Sequence, residues 1–482
     1  MRQALIASLL LLSGCSVGPS YQPPKAAAPT AYKQSVPESF RADEGWKAAQ
    51  PQDHIDRKRW WEVFQDPLLS ELVPQVQDNN QNLAASEARL RQVRSMIRVN
   101  RASRMPNVTT SPGVGGLRLS NNRPGFPANL RAEASPNLTW PVDFSYEVDL
   151  WGRVRKSIEA ARIDTQASDA DMQTARLSLQ SELAFHYFEV RMAEAQQDLL
   201  ERTVTTFEDA LRITTNRFEG GVAPKMDVTQ AKAQLESARA DLIDISIHRA
   251  QHEHAIAVLI GKAPVEFTLA STDRPMPQPP VIPVGLPSEL LERRPDVAAG
   301  ERRAAAANER IGLAKTAFYP TIRIGGGGGF TGTSVMNWFT WPSHLWSLGS
   351  SAALPVFDAG RRRALTDGAV ADFDATVAEY KQTTLAAFQE VEDSLVELRV
   401  LEAEEAQQRQ AVEAARESVE LATNRYQGGI DTYIQVLNAQ TVALLSERKT
   451  LDIRRRRMAA SVALIKALGG GWDVSELPKP KT

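Results

Sequence analysis

The longest hydrophobic pattern in the chain runs from Arg153 to Phe218 without a proline or glycine inside it. Leu183, Val190, Val204, Leu211 and Phe218 share one heptad register, and Leu179, Leu200 and Phe207 fall in another. Two such registers predict coiled-coil-like packing, and about 65 residues at 1.5 Å each make a rod roughly 100 Å long. The pattern stops at Gly220-Gly221 and a second helical pattern runs from Met226 to Ile260, ending at Gly261. Glycine takes the left-handed backbone that closes a helix without steric cost, so Gly220-Gly221 reads as the tip of a helical hairpin.

The same punctuation returns 208 residues later. Arg217-Phe218-Glu219-Gly220-Gly221-Val222 corresponds to Arg425-Tyr426-Gln427-Gly428-Gly429-Ile430. Leu150-Trp151-Gly152-Arg153 corresponds to Asp358-Ala359-Gly360-Arg361 at the same offset. A fixed period over whole supersecondary units marks an internal duplication. A long helix is therefore predicted over 359–426 and a short one over 434–468. Each half reads helix, two strands, long helix, tip, short helix, and two short helices would stack end to end to match a long one.

The remaining segments switch period. Asp66-Pro67 opens a helix, the aspartate capping it and the proline suiting its first turn. Leu68, Leu72, Val76, Leu83, Leu90 and Val93 carry that helix to about Arg104. Alternating apolar residues over 108–119 and 137–148 predict two strands joined by a turn-rich loop over 121–128, with a bend or an edge at Pro141. A helix over 297–318 and strands over 320–331 and 345–357 repeat the scheme. The resulting division is a leader over 1–14, an extended arm over 15–65 ending in Trp60-Trp61-x-x-Phe64, and a first repeat over 66–262. A linker with seven prolines spans 263–287, a second repeat 288–468 and a loose tail 469–482.

Composition narrows the function classes. A net charge of −2 lacks the basic excess of a nucleic-acid binder. One cysteine, Cys15, excludes an intrachain disulfide, a Cys-rich metal site and a thiol relay. The start reads as a targeting segment: Met1-Arg2, an apolar core over 4–12, then Leu12-Ser13-Gly14-Cys15, a lipoprotein lipobox with Cys15 as the acylated mature N-terminus. Acyl chains such as palmitate would anchor it durably in outer-membrane lipid. Past the leader no apolar run is long enough for a membrane helix. Four strands cannot close a barrel, and lipid cannot satisfy open edges, so membrane strands would require further copies of the chain. Trp338, Phe339, Trp341 and Trp346 suit an aromatic belt at the interface.

With these residues in view, the chain resembles the outer-membrane factor family, the TolC- and OprM-like exit ducts of tripartite efflux pumps, of the NodT lipoprotein type. The resemblance rests on the lipobox, Trp60-Trp61 with Phe64 and Asp66-Pro67, Arg293-Arg294-Pro295-Asp296, Phe318-Tyr319-Pro320 and the paired Gly-Gly tips. It spans essentially the whole mature chain. It implies a mostly α fold with a membrane β-barrel: a homotrimer whose 12-stranded barrel continues into a periplasmic α-helical barrel with an equatorial collar. It implies an outer-membrane location, with a periplasmic adaptor and an inner-membrane pump of the resistance-nodulation-division type as partners. It implies a duct that is neither an enzyme nor dependent on a cofactor. A duct for type I protein secretion shares the fold, and a non-channel coiled-coil lipoprotein is the remaining alternative.

The resemblance also implies a gate at the tips, where the adaptor would contact Gly220, Gly221, Gly428 and Gly429. Asp227 matches a tip aspartate of the family and Tyr426 a tip tyrosine that helps hold the closed state. The pore-facing positions after the second tip fall at Gln435 and Asn438, where the family often has aspartate. The expectation is a neutral, hydrogen-bonded constriction in place of a cation-binding ring.

Three other motifs are weaker. His248-x-x-x-His252-x-His254 has zinc spacing but no third ligand nearby, and reads as a solvated helix face. Arg454-Arg455-Arg456-Arg457 reads as a polar helix face. Gly325 to Gly329 lacks the Lys-Ser/Thr of a phosphate loop and reads as a strand that permits close packing or curvature.

Overall fold

The computed structural model describes residues 17–25, 29, 31–34, 57–122, 124, 133–271, 277–280, 282 and 293–470. Cys15, the leader, part of the proline-rich linker, most of the 121–128 loop and residues 471–482 of the tail lie outside them.

The elements in chain order are α1 (Pro67–Asn79), α2 (Gln81–Ala102), β1 (Asn107–Thr110), β2 (Gly113–Leu117), β3 (Ser135–Val148), α3 (Arg153–Glu219) and α4 (Lys225–Leu259). They continue with α5 (Pro295–Thr316), β4 (Thr321–Gly332), β5 (His344–Ala353), α6 (Arg361–Gln427) and α7 (Tyr433–Ala467). Helices α3 and α6 have 67 residues each, α4 and α7 have 35, and α2 and α5 have 22.

Each long helix pairs antiparallel with the short helix after its tip, α3 with α4 and α6 with α7. The far half of α3 is covered by α2, and α5 packs between α3 and α6. Each short helix abuts the start of a 22-residue helix, α4 that of α2 and α7 that of α5. Asn80, between α1 and α2, donates its Nδ2 to the Leu259 carbonyl at the end of α4, 2.9 Å away. In the second half Arg294, just before α5, donates to the Ala467 carbonyl at the end of α7, 3.1 Å away.

A single apolar band crosses the helices at these junctions. Trp60, Trp61 and Phe64 stand on a 3-10 helix (Arg57–Phe64) and pack on α1, α3, α4, α6 and α7 through Leu69, Tyr187, Ile256, Leu395 and Leu464. The aromatic cluster at the end of the arm is thus helical, because all three rings must reach one core. Asp66 caps α1 as expected, accepting from the Leu68 and Leu69 amides. Its other carboxylate oxygen accepts from the buried Tyr187 hydroxyl at 2.7 Å.

Several expectations are corrected. The single helix over 66–104 is two, broken at Asn80, whose side chain caps α2. The strand over 108–119 is also two, because Ser111-Pro112 interrupts it; β1 and β2 both pair with β3. Pro141 neither bends nor ends β3, since its missing N–H falls opposite that gap while β4 pairs continuously on the other side. His248 and His254 are exposed as expected, but His252 is half-buried, its Nδ1 2.9 Å from Nδ1 of His186 on α3. The four arginines are interhelical ties. Arg454 and Arg457 both bond Glu405 of α6, and Arg455 bonds Glu189 of α3 and Asp452.

The sheet is antiparallel in the order β1-β3-β4-β5, with β2 also on β3. The register aligns Phe144, Gly326 and Leu348 across the strands, and likewise Val142, Gly328 and Trp346. Because side chains alternate, that face carries Trp140, Val142, Phe144, Tyr146, Ile324, Phe330, Trp346 and Leu348, while the opposite face carries Asp143, Ser145, Glu147, Arg323 and Ser347. One face is apolar and the other polar. The β5 edge has no further strand beside it among the described residues.

Candidate functional site: the paired helix tips

The two tips close in the same way. At the end of α3 the Gly220 amide donates to the Asn216 carbonyl and the Val222 amide to the Arg217 carbonyl, 3.0 and 2.9 Å. At the end of α6 Gly428 donates to Asn424 and Ile430 to Arg425, both at 2.9 Å. This pattern satisfies the last helical carbonyls only if the residue between turns left-handed, and Gly221 (φ 75°) and Gly429 (φ 74°) do so. The first glycine of each pair keeps negative φ, so the second carries the conformational demand. Helix α4 restarts after Pro224 and α7 after Thr432.

Across the tips the structure brings two of the four expected gate residues together. The Tyr426 hydroxyl donates to Asp227 Oδ2 at 3.2 Å, and both side chains are buried. The Tyr426 ring packs at 5.5 Å on Tyr433, itself 1% exposed, above Ala231 and Val436. Burial raises the Tyr426 phenol above its ordinary value, and the Asp227 charge raises it further, so it stays a donor. Burial likewise pushes Tyr433 up to about 12, with Tyr426 and Asp227 adding to it.

The sequence reading left two cations without a role. The Arg217 guanidinium lies 4.8 Å from the Tyr426 ring centroid, and its Nη1 donates to the Gln427 carbonyl at 2.9 Å. The first tip is thereby tied to the second. Arg425, the counterpart of Arg217 at the 208-residue offset, instead pairs with Asp431 at 2.5 Å inside its own tip. Their matching places in the two tip motifs were the available signal.

Gln435 and Asn438 are not part of this contact. They lie three residues apart on an exposed face of α7, away from Tyr433 and Val436. Gln435 is the counterpart of Asp227 at the 208-residue offset. The halves therefore use the same position differently, a buried acceptor in one and an exposed amide in the other.

No group of three or more His, Cys, Asp or Glu side chains suited to a metal ion occurs among the described residues. No described helix is long and apolar enough to cross a membrane. Hydrogen bonds, a cation over a ring and apolar contacts tie the two tips together.

Comparison with known proteins agrees with this architecture. Residues 72–262 and 286–470 match the family described as outer membrane efflux protein. The chain is 31% identical to the probable efflux pump outer membrane protein SepC of Pseudomonas putida, over 97% of this chain and 96% of that protein. It is 32% identical to the outer membrane protein OprJ of Pseudomonas aeruginosa, over 96% and 94%. Among solved structures, the outer-membrane channel OprN superposes with a TM-score of 0.83 at 29% identity, covering 95% of this chain and all of that one. The open-state outer membrane channel MtrE of Neisseria gonorrhoeae gives 0.77 at 27% identity, covering 95% and 99%. The relatives are channels and not enzymes, and the chain belongs to the outer membrane efflux protein family.

Proposed function

We propose that this chain is the outer-membrane exit duct of a tripartite efflux system, passing small molecules outward and closing at its periplasmic helix tips. The observation that carries the reading is the two-faced sheet. Its apolar face suits lipid and its polar face a water-filled lumen, yet its strands cannot close on themselves. Lipid leaves no unpaired backbone tolerated, so closure requires other copies. Three chains with four strand positions each, β1 and β2 filling one position, give a 12-stranded barrel. The long helices continue it as a periplasmic tube. Equal helix lengths in the two halves support an internal duplication behind the quasi-regular wall.

In this reading Gln435 and Asn438 face the pore and form a neutral constriction, while Asp227 and Tyr426 latch the wall behind it. Gly220, Gly221, Gly428 and Gly429 present the tips to a periplasmic adaptor, which joins the duct to an inner-membrane pump of the resistance-nodulation-division type. Cys15, lipidated, ties each chain to the outer membrane. The test is reconstitution: the purified protein should run as a trimer until heated and should conduct ions in a planar bilayer. A monomer without conductance would overturn the reading.

A further inference from the structure

The loop between β4 and β5 is unlike a water-facing loop. From Ile324 to Phe357 the chain has no Asp, Glu, Lys or Arg, and its one imidazole is His344. The first strand pair, over 107–148, carries Arg118, Asp143 and Glu147 among others. In the second loop the large apolar groups point outward: Met336 is 88% exposed, Trp341 81% and Val335 76%.

The direction in which this loop folds is fixed by its contacts. Phe339 packs against Trp140 and Phe330, with ring centroids 5.5 and 5.6 Å apart, and Trp338 stacks on Phe339 at 5.0 Å. Trp341 stacks on His344 at 4.9 Å with the rings 5° from parallel. Trp140, Phe330 and His344 are aligned in register on the apolar face of the sheet. The loop therefore lies over the apolar side and not across the polar one. Several of its polar groups bond one another. The Asn337 carbonyl accepts from the Thr340 and Ser343 hydroxyls at 2.7 and 2.6 Å, within two short 3-10 turns (Val335–Asn337 and Trp341–Ser343). Exposed aromatic and aliphatic groups in an uncharged loop suit the boundary between hydrocarbon and headgroups.

We propose that residues 333–343 form a lipid-engaging loop, seated in the outer leaflet at the end of the sheet remote from the helices. This extends the proposed function, since it rests on the apolar face being the lipid face. The loop is then an anchor for the barrel rim, and the strongly exposed Met336, Val335 and Trp341 are its contacts with lipid.

The test is spin-label accessibility in proteoliposomes. Met336→Cys and Leu348→Cys are each labelled with a nitroxide, the latter reporting the middle of the apolar face, and the labelled unsubstituted chain supplies the background from Cys15. Both sites should be relaxed by oxygen and protected from a water-soluble nickel chelate, with an oxygen-to-nickel ratio several-fold above that of the free label in buffer. A lipid-like Leu348 site with Met336 open to nickel, or closed to both reagents, would sink the loop proposal alone. Nickel access at Leu348 itself would instead overturn the membrane reading on which it rests. Both residues are exposed, so labelling leaves the packing intact.

Discussion

Tyr426 and Asp227, 199 residues apart in sequence, share a buried hydrogen bond of 3.2 Å that joins the second helix tip to the first. Replacing Tyr426 by Phe keeps the ring on Tyr433 and removes only the donor, leaving the Asp227 carboxylate buried without it. A hydrogen bond to a charged group contributes about 1.5–3 kcal/mol, and each 1.4 kcal/mol is about a tenfold shift between latched and loosened tips. Tyr426→Phe and Asp227→Ala should each raise single-channel conductance or open probability, and the double variant should add little to either. Fully additive effects would mean that the two residues act separately.

Arg217 reaches the same latch from the other side. Arg217→Ala removes the cation over Tyr426 and the bond to the Gln427 carbonyl, whereas Arg425→Ala removes only an exposed pair with Asp431. Exposed pairs contribute about 0–1 kcal/mol, so the first variant should open the channel more than the second. Equal conductance in the two would remove Arg217 from the latch.

His186 and His252 oppose Nδ1 to Nδ1 at 2.9 Å, which requires at least one neutral ring. Burial lowers both below the ordinary value of 6.5. The His252 charge lowers His186 further, and His248 and Arg455 lower His252 further, while Glu189 opposes both shifts. Glu189 lies 3.9 Å from His252 Nε2 and is held by Arg455 of α7, which also bonds Asp452. With folded values below the unfolded one, the unfolded chain takes up protons first as pH falls. Stability is full above about pH 6.5 and is lost as pH drops through and below it. The melting temperature should fall between pH 7.5 and 5.5, and His252→Asn should flatten that slope. An unchanged slope in the variant would assign the pH response to other groups.

Much of the architecture was legible because its signals are local. Heptads and Gly-Gly pairs mark α3, α4, α6 and α7 to within a residue or two of their ends. The break at Asn80 escaped because Val76 and Leu83 keep heptad spacing across it, so the apolar period passes through without a fault. The polar run Asn79-Asn80-Gln81-Asn82 was the usable clue. Pro141 drew attention away from Pro112, though only the latter stands where a strand stops. The Tyr426–Asp227 bond depends on how two hairpins pack, and no spacing within either tip encodes it.

The glycine run in β4 offers a matched pair. A Cβ on Gly329 would overlap the Trp140 carbonyl and crowd Pro141, whereas one on Gly349 in β5 meets nothing within 4 Å. Neither residue has positive φ, so the comparison isolates space between strands. Gly329→Ala should cost about 1–3 kcal/mol of overpacking and reduce the yield of heat-modifiable trimer. Gly349→Ala should assemble normally. Equal yields would show that β3 and β4 can separate at this point without loss.

Asn80 holds two junctions with one side chain. Its Oδ1 accepts from the Asn82 and Leu83 amides at 2.9 and 3.1 Å, starting α2, and its Nδ2 closes the end of α4 through the Leu259 carbonyl. Asn80→Ala loses the cap and leaves a buried carbonyl unpaired, which should cost about 2–4 kcal/mol. Asn80→Ser can still cap α2 but cannot reach Leu259, so it should fall between the alanine variant and the parent in thermal melting. If serine is as damaging as alanine, the end-to-end junction with α4 carries the effect. If serine restores full stability, the cap alone matters and the helices merely abut. The two bonds predict the intermediate value, because α2 continues the line of α4 along α3 only while both are made.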